Sequence, residues 1–134
     1  MRQHGSGAVE LGVERPLLAS ADAVPLARRA VADLARRCGA TADVVDDVRL
    51  AVTEACANVV LHAYVDPGPI EVRAQAADGL LSVQVRDWGR GMRTQSGRAG
   101  LGLGLRLIAT VCSSLEACDA VPGTELRMTF RLGA

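Results

Sequence analysis

The chain has 134 residues, 49% of them apolar, and its 15 basic residues are balanced by 15 acidic ones. This length and apolar content suit one domain with a single core, which buries roughly two-thirds of the surface of the unfolded chain. The zero net charge disfavours direct nucleic-acid binding and attachment to an anionic membrane. All basic residues are Arg, which excludes a Walker A loop and Schiff-base chemistry, since both need Lys.

The four cysteines and two histidines are too few and too scattered for a zinc site. No two cysteines form a C-x-x-C pair, which favours reduced, buried thiols. No apolar run approaches the ~20 residues of a membrane-spanning helix, and the polar start of the chain lacks the apolar core of a signal peptide. We therefore expect a cytoplasmic protein with a flexible segment over residues 1–8 and a single domain over residues 9–134.

The first half of the chain predicts an edge strand and two helices. Residues 9–17 alternate imperfectly between apolar and polar, which indicates an edge strand. The first helix should begin near Asp22 and end just before Gly39, a residue type that suits the position after a helix. Thr41 is a good N-cap for the second helix, which should run to about residue 64, before an Asp-Pro-Gly-Pro turn. The predicted apolar side of the first helix consists of Leu26, Ala30, Val31 and Leu34.

Three later segments alternate apolar and polar residues with the period of a half-buried β-strand. These segments are residues 70–75, 81–86 and 126–132. Asp78-Gly79 joins the first two as a hairpin. A sheet with one wet face must carry its helices on the other face. The fold class is therefore α/β, in the form of a two-layer α+β sandwich.

Asp87 falls on the apolar face of the second predicted strand. Counting in steps of two from Leu81 leads to this carboxylate, so its side chain points under the helices. A charge there is costly unless it has a partner. One interpretation is a turn aspartate or an ion pair with an Arg, and the other is an acceptor for an amino group at the base of a pocket. Gly89 and Gly91, which follow, let the backbone approach a flat ligand.

Glu54 and Asn58 stand at positions i and i+4 of the second helix and share one face. They can be read as surface residues, but Asn is a poor helix former and its apolar neighbours are not typical of a solvated face. The amide oxygen of Asn58 can ligate Mg²⁺, and the carboxylate of Glu54 can accept a proton from a hydroxyl or water. We therefore favour a functional role for the pair.

Three alternating glycines, Gly100, Gly102 and Gly104, lie at the start of a helix predicted over residues 103–112. Glycines leave backbone N–H groups unobstructed, and free N–H groups at a helix N-terminus bind phosphate. Arg98, in the loop just before them, can neutralise phosphate charge. The segment is thus a candidate phosphate-binding turn.

Taken in order, these motifs resemble those of the GHKL ATPase superfamily. The motifs are Glu54-x-x-x-Asn58, Asp87-x-Gly89-x-Gly91 and Gly100-x-Gly102-x-Gly104. The sequence of residues 51–58, followed by His62-Ala63-Tyr64, is especially similar to that of the anti-sigma-factor serine/threonine kinases of bacterial partner-switching systems. The resemblance runs from the first helix to the final strand and implies the Bergerat sandwich, with a mixed, largely antiparallel sheet.

The resemblance also implies ATP and Mg²⁺ as cofactors and a role for each motif residue. The implied roles are general base for Glu54, magnesium ligand for Asn58, and adenine-amino acceptor for Asp87 with Thr124 in support. Gly89 and Gly91 would shape the base pocket, while Gly102 and Gly104 would close on the triphosphate. The implied partners are a sigma factor, which is sequestered, and a STAS-domain anti-anti-sigma protein, which is phosphorylated on serine. Members of this family are commonly homodimers.

One departure from the family pattern leaves an alternative open. Only seven residues separate Met92 from Gly100, which makes a short lid over the nucleotide. The motifs and the resemblance together still predict an ATP-dependent serine/threonine kinase that acts as an anti-sigma factor. The alternative is a non-catalytic module of the same fold that sequesters a partner, with structural or lost nucleotide binding. Intact Glu54 and Asn58 favour the enzyme, and the short lid favours the module.

Overall fold

The computed structural model describes residues 2–3, 9–11, 17–18, 22–64, 68–89 and 101–133. The helices are α1 (Ala23–Arg37), α2 (Ala42–Asn58) and α3 (Leu101–Val111), and a π-helical turn, Val59–Ala63, continues α2. The strands are β1 (Arg2–Gln3), β2 (Val9–Leu11), β3 (Leu17–Leu18), β4 (Pro69–Ala77), β5 (Leu80–Asp87), β6 (Ser114–Asp119) and β7 (Thr124–Arg131).

The strands form one sheet in the order β1-β2-β4-β5-β7-β6, with β3 also paired to β4. Every pairing among these described strands is antiparallel. The β4–β5 hairpin turns at Asp78-Gly79, where both residues have positive φ angles of 54° and 77°. Positive φ at both central residues is the geometry of a tight hairpin turn whose twist suits the flanking strands. The predicted hairpin is confirmed.

The long strands bury one face and expose the other, as their alternation predicts. On the buried face, β4, β5 and β7 contribute residues such as Ile70, Val83 and Met128, which pack with α1 and α2 in one core. On the other face, Arg127 pairs with Glu125 at 2.5 Å and lies 3.7 Å from Glu116 of β6. Helices on one face of an antiparallel sheet make the predicted two-layer sandwich, which is confirmed.

Both predicted helix boundaries around Gly39 are confirmed by hydrogen bonds. Gly39 has a φ of 92°, and the N–H groups of Gly39 and Ala40 donate to the C=O groups of Arg36 and Ala35, at 3.1 and 3.0 Å. This pattern is a Schellman motif, which needs a left-handed residue after the helix. At the start of α2, Oγ1 of Thr41 accepts a hydrogen bond from Val44 N–H at 3.2 Å, as an N-cap does.

Some expectations about the first half of the chain were wrong. The predicted edge strand is two short strands, β2 and β3, which both pair with β4, and β1 pairs on the outer side of β2. Gly12 and Pro16 interrupt the sequence between them, and both residue types weaken strands. Leu26 is 55% exposed, because the buried line of α1 passes through Ala27 and Val31 instead. The flexible segment over residues 1–8 stays a prediction, since residues 4–8 lie outside the described ranges.

Two further features were missed or misjudged. Strand β6 was not predicted. It is largely exposed and pairs only with β7 among the described strands, so its short segment gives no clear apolar pattern. All four cysteines are free thiols, but only Cys56 is buried and the other three are half-buried. Burial raises the pKa of the Cys56 thiol to about 12, so this residue behaves as a small apolar side chain. Among the described residues, no helix combines the length and the apolar character needed to cross a membrane.

Candidate functional site

Asp87 lies at the end of β5, where the central strands of the sheet meet the helical layer. Only 6% of its surface is exposed, and its register partners are Ile70 in β4 and Thr124 in β7. Gly89 N–H donates to Oδ1 of Asp87 at 2.9 Å. Burial raises the pKa of the Asp87 carboxyl, while the backbone N–H groups of Gly89 and Thr124 lower it again in part. The strand end therefore presents a largely desolvated carboxylate that accepts hydrogen bonds from two backbone N–H groups.

Thr124 and the residue before it press against the same strand end. Thr124 is 5% exposed, and Gly123 has a φ of 98°. A side chain at Gly123 would collide with the backbone C=O of Asp87. Only glycine suits both this backbone angle and this close approach. The residue before β7 therefore packs directly against the backbone of Asp87.

Glu54 and Asn58 lie where α2 contacts α3. A Cβ atom added at Gly104 would lie 3.1 Å from Oδ1 and 3.3 Å from Nδ2 of Asn58, and 3.5 Å from Oε2 of Glu54. The absence of a side chain at Gly104 thus lets the two helices approach at both polar side chains. Nδ2 of Asn58 is buried and has no hydrogen-bond partner among the described residues. Such an atom is costly in a folded protein and is a feature of sites that bind something else.

The far end of the same helical segment contacts the strand end that carries Asp87. The backbone C=O of Ala63 occupies the place that a side chain at Gly89 would fill. The hydroxyl of Tyr64 accepts a hydrogen bond from Trp88 N–H at 2.8 Å. Ala63 follows Asn58 by five residues, all of them in the π-helical turn that continues α2. One continuous segment therefore links the Glu54–Asn58 pair to the residues beside Asp87.

The structure brings six of the predicted site residues into these two neighbouring groups. One group consists of Glu54, Asn58 and Gly104, and the other of Asp87, Gly89 and Thr124. Gly102 lies in the first turn of α3, which begins at Leu101, two residues earlier than predicted. Gly91, Arg98 and Gly100 lie outside the described residues. The roles assigned to all these residues stay predictions.

Two residues of this region were not predicted as site residues. Tyr64 appeared only within a motif that carries the family resemblance, and Gly123 was not singled out. A usable signal was present for Tyr64, because it is the only tyrosine of the chain and stands just before the Asp-Pro-Gly-Pro turn. The close approach of Gly123 to Asp87 has no comparable signal, since it depends on how β5 and β7 align.

The family profile for histidine kinase-like ATPase domains matches residues 17–130. The chain belongs to this family. Its α/β sandwich agrees with that assignment.

Two relatives extend the similarity to nearly the whole chain. The serine-protein kinase RsbW of Halalkalibacterium halodurans is 31% identical over 96% of this chain and 86% of its own length. The anti-sigma F factor of Caldanaerobacter subterraneus subsp. tengcongensis is 30% identical over 90% of this chain and 94% of its own length.

Solved structures show the same fold. A crystal structure of the RsbU and RsbW domains of a Mycobacterium tuberculosis protein matches 92% of this chain with a TM-score of 0.72 at 24% identity, and the match spans 32% of that longer chain. The histidine kinase domain of a blue-light activated kinase from Erythrobacter litoralis matches 81% of this chain and 59% of its own, with a TM-score of 0.59 at 20% identity.

Proposed function

We propose that this chain is an ATP- and magnesium-dependent serine/threonine protein kinase that acts as an anti-sigma factor. The observation that carries the proposal is the single helical segment that contacts Gly104 at Glu54 and Asn58 and abuts Gly89, beside Asp87, at its end. A nucleotide lying along this segment would meet a base-recognising carboxylate at one end and polar catalytic groups at the other. The serine-protein kinase RsbW and the anti-sigma F factor are relatives of matching length.

The base-recognition step rests on the carboxylate of Asp87. A carboxylate only accepts hydrogen bonds, so it suits the 6-amino group of adenine and repels the 6-oxo group of guanine. Burial strengthens this selection, because a desolvated carboxylate is costly unless its remaining acceptor positions are also occupied by donors. The proposed pocket therefore prefers ATP over GTP.

The residues at the other end of the segment fit a magnesium-bound triphosphate. Magnesium is usually held by one or two protein oxygens together with substrate phosphates. Glu54 and Asn58 supply oxygen atoms for the metal, and the buried Nδ2 of Asn58, which has no partner among the described residues, can donate to a phosphate oxygen. We assign the metal to Asn58, where its charge would neutralise the phosphate oxygens. We assign the phosphates to Gly100, Gly102, Gly104 and Arg98, because free N–H groups at the start of a helix bind phosphate and an Arg side chain neutralises its charge.

Glu54 is assigned the transfer of the proton. As a serine hydroxyl of the partner attacks the terminal phosphorus, its Oγ–P bond forms and the bond to the leaving ADP oxygen breaks. The carboxylate of Glu54 accepts the hydroxyl proton in the same step. Such chemistry needs positioning more than covalent participation. Oε2 of Glu54 lies 3.5 Å from the point where a Cβ atom of residue 104 would stand, so the carboxylate is beside the part of α3 where the phosphates would lie.

The proposed protein substrate is a STAS-domain anti-anti-sigma protein, and the sequestered partner is a sigma factor. We further propose a cytoplasmic homodimer. In the proposed kinase, the affinity for the partner depends on the bound nucleotide with a coupling of roughly 1–3 kcal/mol, and bound partner changes the nucleotide affinity by the same factor. The alternative, a sequestering module without catalysis, requires no such coupling.

The first test is nucleotide selectivity. ATP at 100 times its dissociation constant should stabilise the fold by roughly 2.7 kcal/mol, which raises the melting temperature by about 2–8 °C. GTP at the same concentration should raise it less. Equal shifts with both nucleotides, or none at millimolar concentration, would contradict the base pocket.

The second test distinguishes the kinase from the module. Calorimetric titration of the STAS partner into the apo, ADP and ATP-analogue forms measures its affinity for each form. In a separate experiment, the mass of the partner is measured by mass spectrometry after incubation with Mg-ATP. A mass increase of one phosphate on Ser or Thr supports the kinase. Glu54→Ala, which lacks the proposed base, should lose this mass increase. Its matched control is Asp46→Ala, which removes an exposed carboxylate of α2 and should keep the increase. Equal affinity of all three forms and no phosphate gain would favour the module.

A further inference from the structure

Tyr64 joins three segments of the chain through one hydroxyl group. Its hydroxyl donates to the backbone C=O of Pro69 at 2.5 Å and accepts from the backbone N–H of Trp88 at 2.8 Å. Pro69 is the first residue of β4, and Trp88 directly follows β5. The end of the α2 helical segment is thereby tied to the start of one central strand and the end of the other.

Two glycines make room for this junction. A side chain at Gly68 would collide with the ring of Tyr64, and a side chain at Gly89 would collide with the backbone of Ala63. The residues Ala63 and Tyr64 therefore fit between the two strand ends only because both flanking positions lack a Cβ atom. Contacts this close leave little freedom for the backbone between Asp87 and Gly89.

The junction controls the peptide groups that follow Asp87. The N–H of Trp88 is held by Tyr64, and the N–H of Gly89 is held by the Asp87 carboxylate itself. Burial raises the pKa of the Tyr64 hydroxyl, and the charge of Asp87 raises it further, so the two groups lie within electrostatic reach. Loss of the Tyr64 hydroxyl leaves only one of the two peptide N–H groups with its partner.

We infer that Tyr64 is a positioning residue for base recognition, holding the backbone beside Asp87 so that its carboxylate faces the adenine amino group. This inference rests on the nucleotide-binding function proposed above. Through its two hydrogen bonds, Tyr64 connects the helical segment that carries Glu54 and Asn58 to the strand end that carries Asp87. Tyr64 acts through Asp87 and takes no part in phosphate transfer.

The test compares Tyr64→Phe with Thr41→Ala. Tyr64→Phe keeps the ring but removes both hydrogen bonds, and it should weaken ATP binding about 3- to 10-fold, the range for a lost net hydrogen bond. GTP binding should change less, so the ratio of ATP affinity to GTP affinity should decrease. The Michaelis constant for ATP should rise while kcat stays within about twofold of wild type, since uniform binding is lost and the catalytic groups are untouched.

Thr41→Ala is the control for loss of stability alone. It removes the N-cap of α2 at the opposite end of the helix and should lower the melting temperature by about 2–8 °C. It should leave the ratio of ATP to GTP affinity unchanged. Trp88, the only tryptophan of the chain, gives a second readout that needs no nucleotide. Its fluorescence emission should shift to longer wavelength in Tyr64→Phe and stay unchanged in Thr41→Ala.

A shifted Trp88 emission together with a narrowed ATP preference in Tyr64→Phe alone supports the inference. Wild-type preference and Michaelis constant in Tyr64→Phe would overturn it while the proposed function stands. An equal narrowing in Thr41→Ala would overturn it too, because the effect would then follow from stability. If wild type itself does not prefer ATP, the base-recognition function fails, and any Trp88 shift marks Tyr64 as a structural contact only.

Discussion

The two ends of the candidate site differ in how completely the fold satisfies their polar groups. At the Asp87 end, the carboxylate, the following N–H groups and the Tyr64 hydroxyl all have hydrogen-bond partners. At the Glu54 end, the buried amide nitrogen of Asn58 has no partner among the described residues. The first end is therefore arranged by the protein itself, whereas the second has hydrogen-bonding capacity left over.

This contrast assigns different tasks to the two ends. A carboxylate held by surrounding hydrogen bonds is suited to selection between bases, because its orientation is fixed before a ligand arrives. An amide without a protein partner is suited to bind a ligand group, such as metal-bound phosphate. Changes at the Asp87 end should therefore alter which nucleotide binds, and changes at the Glu54 end should alter what happens to it.

The largest expected effect comes from Glu54→Ala. This variant should still bind ATP but lose phosphotransfer by roughly 10²–10⁴-fold, the usual contribution of a positioned base. Asn58→Ala should instead lose the magnesium-dependent tightening of nucleotide binding, so the two defects separate. Single-turnover phosphorylation and calorimetric titration with and without Mg²⁺ measure them. Wild-type turnover in Glu54→Ala would rule out the base role.

A smaller effect is expected at the other end, where Asp87→Asn should weaken ATP binding by about 10- to 100-fold and abolish the preference over GTP. The raised pKa of the carboxyl adds a pH dependence. In wild type, ATP affinity should fall as the pH drops through this raised pKa, because a protonated carboxyl becomes a donor. In Asp87→Asn, affinity should not vary over the same range. A parallel pH profile in both proteins would exclude Asp87 as the acceptor.

The raised pKa of Asp87 also predicts how stability depends on pH, and this dependence is opposite in sign to that of ATP affinity. Because the pKa of Asp87 is raised in the folded state, folding binds protons between the unfolded and folded pKa values. The contribution of this residue to the free energy of unfolding is therefore full below the unfolded pKa and is lost as the pH rises through the folded pKa. Thermal unfolding of Asp87→Asn at neutral pH should show stability equal to or above that of wild type.

The smallest expected effect is that of Gly104→Ala. Alanine is the better helix former by roughly 1 kcal/mol, so the melting temperature should not fall. Its Cβ would nevertheless press on the Asn58 amide, and magnesium-dependent ATP affinity should weaken by about 2- to 10-fold, as for one disturbed hydrogen bond. Gly133→Ala, where nothing lies within 4 Å of the added atom, is the control. If Gly104→Ala binds Mg-ATP as tightly as wild type, the close approach of Gly104 to Asn58 does not contribute to metal binding.

Much of the fold and part of the site follow from local patterns in the sequence. The period of two identified β4, β5 and β7 and placed Asp87 on their buried face, because side-chain direction in a strand alternates strictly. Helical spacing placed Glu54 and Asn58 on one face, and residue type identified the boundaries at Gly39 and Thr41. β6 could not be predicted in this way, since a strand with little burial has no apolar pattern to read.

Only the tertiary structure decided which of these residues meet. The sequence by itself determined the first two helices, the strands β4, β5 and β7, and the direction of the motif side chains on α2 and β5, because backbone geometry and burial act over a few residues. It did not determine that Gly104 lies against Asn58, that Gly123 supports the backbone of Asp87, or that Tyr64 ties β4 to β5. These contacts depend on the relative placement of whole helices and strands, which the packing of the shared core sets.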